Sequence, residues 1–230
     1  MAPSTMTIHF ARLETLAGDP GAAEGMVERT LRYLDSLPAA TRSLRPVKLD
    51  GIALAHTAVS YLTGFAGEAA LRDRLATLSG TRAFTAAGAI LASLQHLGVR
   101  RLSLATPYPE AIGAAGRTYW TAAGFEVTAH HRLDDVTNIY DETEERAYAL
   151  GRAADATSAD CVLISGTGLP TIGIIDRLER DLGKPVVTSQ AATLWYALSI
   201  LGFREGVEGF GRLLAHAGER TPSEVGGRRS

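Results

Sequence analysis

Three short segments carry side chains suited to chemistry: Ala55-His56-Thr57-Ala58, Thr106-Pro107-Tyr108 and Ser165-Gly166-Thr167-Gly168-Leu169-Pro170-Thr171. Each follows an apolar run that reads as a strand and precedes a run that reads as a helix. Together they offer the imidazole of His56, the hydroxyls of Thr57, Tyr108, Ser165 and Thr167, and the backbone amides of the glycine turn. That set suits a carboxylate, because amides at a helix start favour negative charge. Ser189-Gln190 end the next strand-like run and are candidates to line the same cleft. The Gly-Thr-Gly turn is neither a dinucleotide fingerprint nor a phosphate loop, since no Lys-Ser/Thr pair follows. A plain tight turn explains it equally well when it is taken alone.

The elements that must position these residues follow from periodicity. β-Branched and aliphatic runs at Thr7–Ala11, Gly51–Ala55, Arg101–Ala105, Glu126–Ala129, Cys161–Ser165 and Pro185–Thr188 read as strands. Runs with period near 3.6 predict helices over Ala22–Leu37, Glu68–Leu78, Ala86–Leu97, Pro109–Ala123, Glu142–Thr157, Ile172–Leu182 and Ala191–Leu201. Strand alternating with helix predicts an α/β fold with mostly parallel sheets, whose ligands bind beyond the strands' carboxyl ends. Two pseudosymmetric lobes with a cleft between them are expected. Residues 1–97 form the first, completed by 203–217, and 98–202 form the second. Residues 218–230 are expected to be a disordered tail.

The 230-residue chain has 46% hydrophobic and 21% charged residues and a net charge of −2, which fits a globular domain with a real core. No single-sign stretch invites nucleic acid or an anionic membrane. The start has no basic, then apolar, leader, and no apolar run reaches the ~20 residues of a membrane helix. Cys161 is the single cysteine, which excludes an intrachain disulfide and fits a reducing, cytoplasmic setting. No metal-ligand spacing occurs, and His130-His131 would point to opposite faces of a strand.

As an ordered set, several stretches resemble the maleate isomerase / arylmalonate decarboxylase branch of the aspartate/glutamate racemase superfamily. They are the Ser165–Thr171 loop, Asp181-Leu-Gly-Lys-Pro185, the run from Val187 to Trp195, the run from Gly98 to Tyr108, and Gly209-Phe-Gly-Arg-Leu213. Thr7–Arg12 resembles that family's second strand. The resemblance implies two α/β lobes, a cofactor-free site between them, small mono- or dicarboxylate substrates and a homo-oligomer. It also implies one cysteine at a strand end in each lobe. Here those positions hold His56 and Gly166. Cys161 lies five residues before Gly166, ~16 Å along a strand, and reads as a core residue. The family's first strand and its Asn-bearing loop do not precede Thr7. Either the first lobe is short of a strand or the start given is not the natural one.

Without a thiol pair, a two-base racemase or thiolate addition to an alkene is not expected. What fits is one proton carrier, His56, beside an oxyanion pocket of Thr57, Tyr108, Thr167 and the amides of Gly166–Gly168. Decarboxylation with protonation, single-base isomerisation or a related lyase reaction would each be served. The competing reading is a non-catalytic carboxylate-binding or regulatory member. Asp134-Asp135 and Thr137-Asn138 read as solvated loop, Glu142–Arg146 as a solvated helix face, and Trp195 and Tyr196 as core or interface.

Overall fold

A computed structural model describes residues 1–14 and 25–215. The described elements form two parallel sheets. β1 (Gly51–Leu54) pairs with β2 (Arg82–Thr85). The second sheet has the order β4-β3-β5-β6, from β3 (Arg101–Thr106), β4 (Glu126–Arg132), β5 (Cys161–Ile164) and β6 (Val186–Thr188). β5 is held on both sides, with Leu104 opposite Leu163 and Val162 opposite Val186. All four of its residues are buried, as the unbroken apolar run Cys-Val-Leu-Ile requires of a central parallel strand.

Helices fill the crossovers: α1 (Met26–Ser43), α2 (Thr57–Thr63), α3 (Glu68–Ser79), α4 (Ala86–His96), α5 (Glu110–Ala122), α6 (Glu144–Ala154), α7 (Ile175–Leu182), α8 (Ser189–Leu201) and α9 (Gly211–Ala215). Three starts are capped by threonine hydroxyls. Thr85 accepts from the Gly88 amide, Thr143 from that of Arg146 and Thr188 from that of Ala191. Gly183 closes α7 with φ 70°, the left-handed stop that turns the chain into β6. α4 packs on α8, and one apolar cluster runs from Tyr61, Ala87 and Ile90 of the first lobe to Leu102, Leu104 and Val162 of the second.

Several expectations change. Thr7–Ala11 pairs with no strand among the described residues, and its large apolar side chains lack cover: Phe10 is 88% exposed and Ile8 46%. β2 and α2 were not anticipated; each is short, four and seven residues, and about two periods give a weak pattern to read. α1 runs on to Ser43, past Pro38, while its expected start at Ala22 lies outside the described residues. α9 lies against β6, α7 and α8. Its amides explain why: Gly211 donates to Asp176 and Arg212 to the buried Glu179, which also accepts from Val186. The 218–230 segment lies outside the described residues.

Candidate active site

Because the strands are parallel, β1, β3, β5 and β6 deliver their following loops to the same side. The loops meet through side chains. Thr57 Oγ1 and Tyr108 Oη lie 2.7 Å apart, Tyr61 Oη donates to Ser165 Oγ at 2.8 Å, and Thr167 Oγ1 donates to the Ala55 carbonyl at 2.9 Å. The glycine loop of one lobe is therefore bonded directly to the His56 loop of the other.

Gly166 has φ 121°, a conformation that side-chain-bearing residues rarely adopt, and a Cβ there would stand 2.8 Å from Pro107 Cγ. Its amide is used by Ser189 Oγ at 3.0 Å. Gln190 holds the loop from behind, donating to the carbonyl of Thr167 at 3.0 Å and accepting from Thr171 at 2.8 Å. Ser189 and Gln190 thus support the loop and are not part of the cavity wall. Ala58 is buried inside α2, where its amide bonds Tyr108. Thr57 and Ser165 are also fully covered, beneath Tyr108.

The cavity itself measures about 290 Å³, and its wall includes His56, Tyr108, Thr167 and Gly168. That is ample for a small organic acid. The His56 ring packs on Tyr33 at 5.0 Å between centroids, and its Nδ1 is buried with no hydrogen-bond partner. Burial pulls its pKa down to about 4, against a backbone hydrogen bond that pulls the other way, so the imidazole is neutral near pH 7. Burial pushes the Tyr108 phenol up to about 12, opposed by hydrogen bonds from Thr57 and Ser165, so it remains a hydroxyl donor. Cys161 lies on β5 away from this wall, and burial pushes its thiol up to about 12, consistent with a core residue.

Several wall residues escape sequence reasoning. Met26, Arg29, Thr30 and Tyr33 of α1 line the cavity. Their spacing places them on one helix face, a signal that was present but had no partner to give it meaning. Arg132 ends β4 and also reaches the wall. Asp135, Thr137 and Asn138 line it too, which corrects the reading of that loop as merely solvated. Ile139 and Tyr140 stand over the positions where Cβ atoms at Gly166 and Gly168 would point. Arg146 ties the loop down through Glu142 and the Asp134 carbonyl, so the 142–146 charge run has a structural task.

Comparison with known proteins fits this geometry. Residues 24–214 match the family described as arylmalonate decarboxylase. Arylmalonate decarboxylase of Bordetella bronchiseptica is 32% identical over 176 residues, 70% of each chain. Maleate isomerase of Nocardia farcinica is 30% identical over 152 residues, 64% of this chain and 60% of that protein, so the match spans less than two thirds of that relative. The maleate isomerase of Pseudomonas putida S16, solved with maleate, shares the fold at TM-score 0.79 and 22% identity, over 84% of this chain and 80% of that one. The chain belongs to the arylmalonate decarboxylase family, in the maleate isomerase / arylmalonate decarboxylase branch of the aspartate/glutamate racemase superfamily.

Proposed function

We propose that this protein is a cofactor-independent lyase or isomerase acting on a small mono- or dicarboxylate. The observation that carries the reading is the convergence of His56, Tyr108, Thr167 and Gly168 on one cavity of about 290 Å³. The Tyr108 hydroxyl, held neutral beside the glycine turn, can stabilise a carboxylate and the enediolate-like charge that develops next to it. Arg29 and Arg132 line the same wall, with Arg132 ion-paired to Glu110 and Asp134. His56 moves the proton. Neutral in the free protein, it is a ready base. A bound anion beside it raises its pKa, because a nearby opposite charge favours imidazolium, and loads it as an acid. Chemistry by thiolate addition is not assigned to Cys161, which is buried in β5.

The test is a thermal-shift and turnover screen with phenylmalonate, malonate and maleate, following CO₂ release and maleate-to-fumarate conversion. Turnover that disappears in His56→Gln while the variant stays folded supports the reading. Stabilisation by a carboxylate with no turnover identifies a carboxylate-binding protein instead. Absence of both removes the carboxylate reading.

A further inference from the structure

A histidine that carries protons is ordinarily oriented through its second ring nitrogen, by a hydrogen bond to a carboxylate or a carbonyl that also fixes the tautomer. His56 is held differently. Its Nδ1 is buried and meets no hydrogen-bond partner among the described residues. Its side chain makes no capping bond to α2, although it stands directly before that helix.

What the imidazole does meet is Tyr33. The two ring centroids lie 5.0 Å apart, with the planes tilted by 48°. Both residues line the cavity. Tyr33 is placed by α1, on the helix face it shares with Met26, Arg29 and Thr30, at spacings of seven, four and three residues. It also packs on the apolar cluster of Leu37, Ile52 and Leu54. A ring anchored in that core gives the loop-borne imidazole a fixed surface to rest on.

The contact bears on charge as well as on position. An aromatic face is negative, and a cation within about 6 Å of the ring centre is drawn to it, most strongly where water is excluded. A neutral imidazole gains far less. Tyr33 therefore acts unequally on the two protonation states, and against burial, which is the leading influence on His56 and disfavours its charged form. The other titratable or charged groups on the same wall are Arg29 of α1, Tyr108 after β3, Arg132 at the end of β4, and Asp135 and Tyr140 in the loop beyond it.

We propose that Tyr33 is a positioning residue for His56, its ring holding the imidazole in place through a contact that serves both protonation states and favours the charged one. The proposal rests on the reading of His56 as the proton carrier.

The test changes the charge of the aromatic face and little else. Phenylalanine and then pentafluorophenylalanine are placed at position 33 of the full chain. The His56 titration is followed through the NMR signals of its ring, with sucrose present to keep the chain folded in acid. Fluorine withdraws charge from the face while the ring keeps nearly its shape. Tyr33→Phe should leave the proton affinity of His56 within about twofold of wild type, and the fluorinated ring should lower it roughly three- to tenfold. A ring that serves only as packing would leave the titration alike in all three proteins, and that result overturns the proposal. Tyr33→Leu tests the positioning. Relaxation of the His56 ring signals at neutral pH should show an ordered imidazole in wild type and Tyr33→Phe and a mobile one in Tyr33→Leu; an equally ordered ring in all three also overturns the proposal. If Tyr33→Leu does not fold, the two aromatic replacements decide, since they keep the packing. Turnover that survives in His56→Gln overturns the proton-carrier reading and this proposal with it. A titration unmoved by fluorination, in a protein whose turnover is lost in His56→Gln, overturns this proposal alone.

Discussion

Replacing His56 by Gln removes an imidazole whose protonation the fold opposes, and the effect is readable as stability against pH. The pKa falls from the ordinary 6.5 to about 4 on folding, mainly through burial. The unfolded chain therefore takes up the proton first, near pH 6.5. Above that value the native state loses nothing. Between pH 6.5 and 4 the unfolded state binds the extra proton, so stability falls as the pH falls, by roughly 1.4 kcal/mol per unit. A shift of about 2.5 units gives a loss of at most about 3 kcal/mol by pH 4. With a urea slope of about 2–3 kcal/mol/M, the unfolding midpoint should drop by roughly 1 M more in the wild type than in His56→Gln over this range. The assay is a pair of urea titrations at about pH 7.5 and pH 4.5, with carboxylate titrations elsewhere cancelling in the comparison. Parallel pH dependence in the two proteins would refute the neutral, buried imidazole and the mechanism built on it.

Three further outcomes follow from the same geometry. Binding of a dianion should be accompanied by proton uptake at about pH 6, because the bound charge raises the His56 pKa; calorimetry in buffers of different ionisation enthalpy measures it, and uptake unchanged in His56→Gln would assign the proton elsewhere. Tyr108→Phe should weaken phenylmalonate or maleate binding roughly tenfold, since it removes the link to Thr57 as well as a cavity-wall hydroxyl; an unchanged Kd would take Tyr108 out of the site. Gly166→Cys should not install a working thiol. At φ 121° with Pro107 at 2.8 Å the side chain costs about 1–3 kcal/mol, visible as a lower Tm, and a stable variant with new thiol-dependent turnover would contradict the loop geometry.

The repeating strand-loop-helix order was legible because β3, β5 and β6 carry apolar runs between clear glycine and proline punctuation, as Gly98, Gly183 and Pro185 do. β2 was not. Arg-Ala-Phe-Thr is too short to show alternation, and it becomes a strand only through its register with Gly51–Leu54. Thr7–Ala11 failed in the opposite way, having strand composition without a partner. The strand-end residues of the candidate site were legible for the same reason the fold was: parallel strands bring their ends together. The α1 face and the 133–140 loop were not, because their place on the cavity wall depends on tertiary packing that neither segment encodes alone.

The apolar cluster shared by the two lobes has a kinetic consequence. A hinge that parted the lobes would pull Tyr61 and Ile90 away from Leu102 and Leu104 and expose the interior of the molecule. Such a motion costs far more than a binding step supplies. Ligand exchange must therefore proceed without parting the lobes, through the loops that line the cavity, among them the segment with Ile139 and Tyr140 beside the glycine turn.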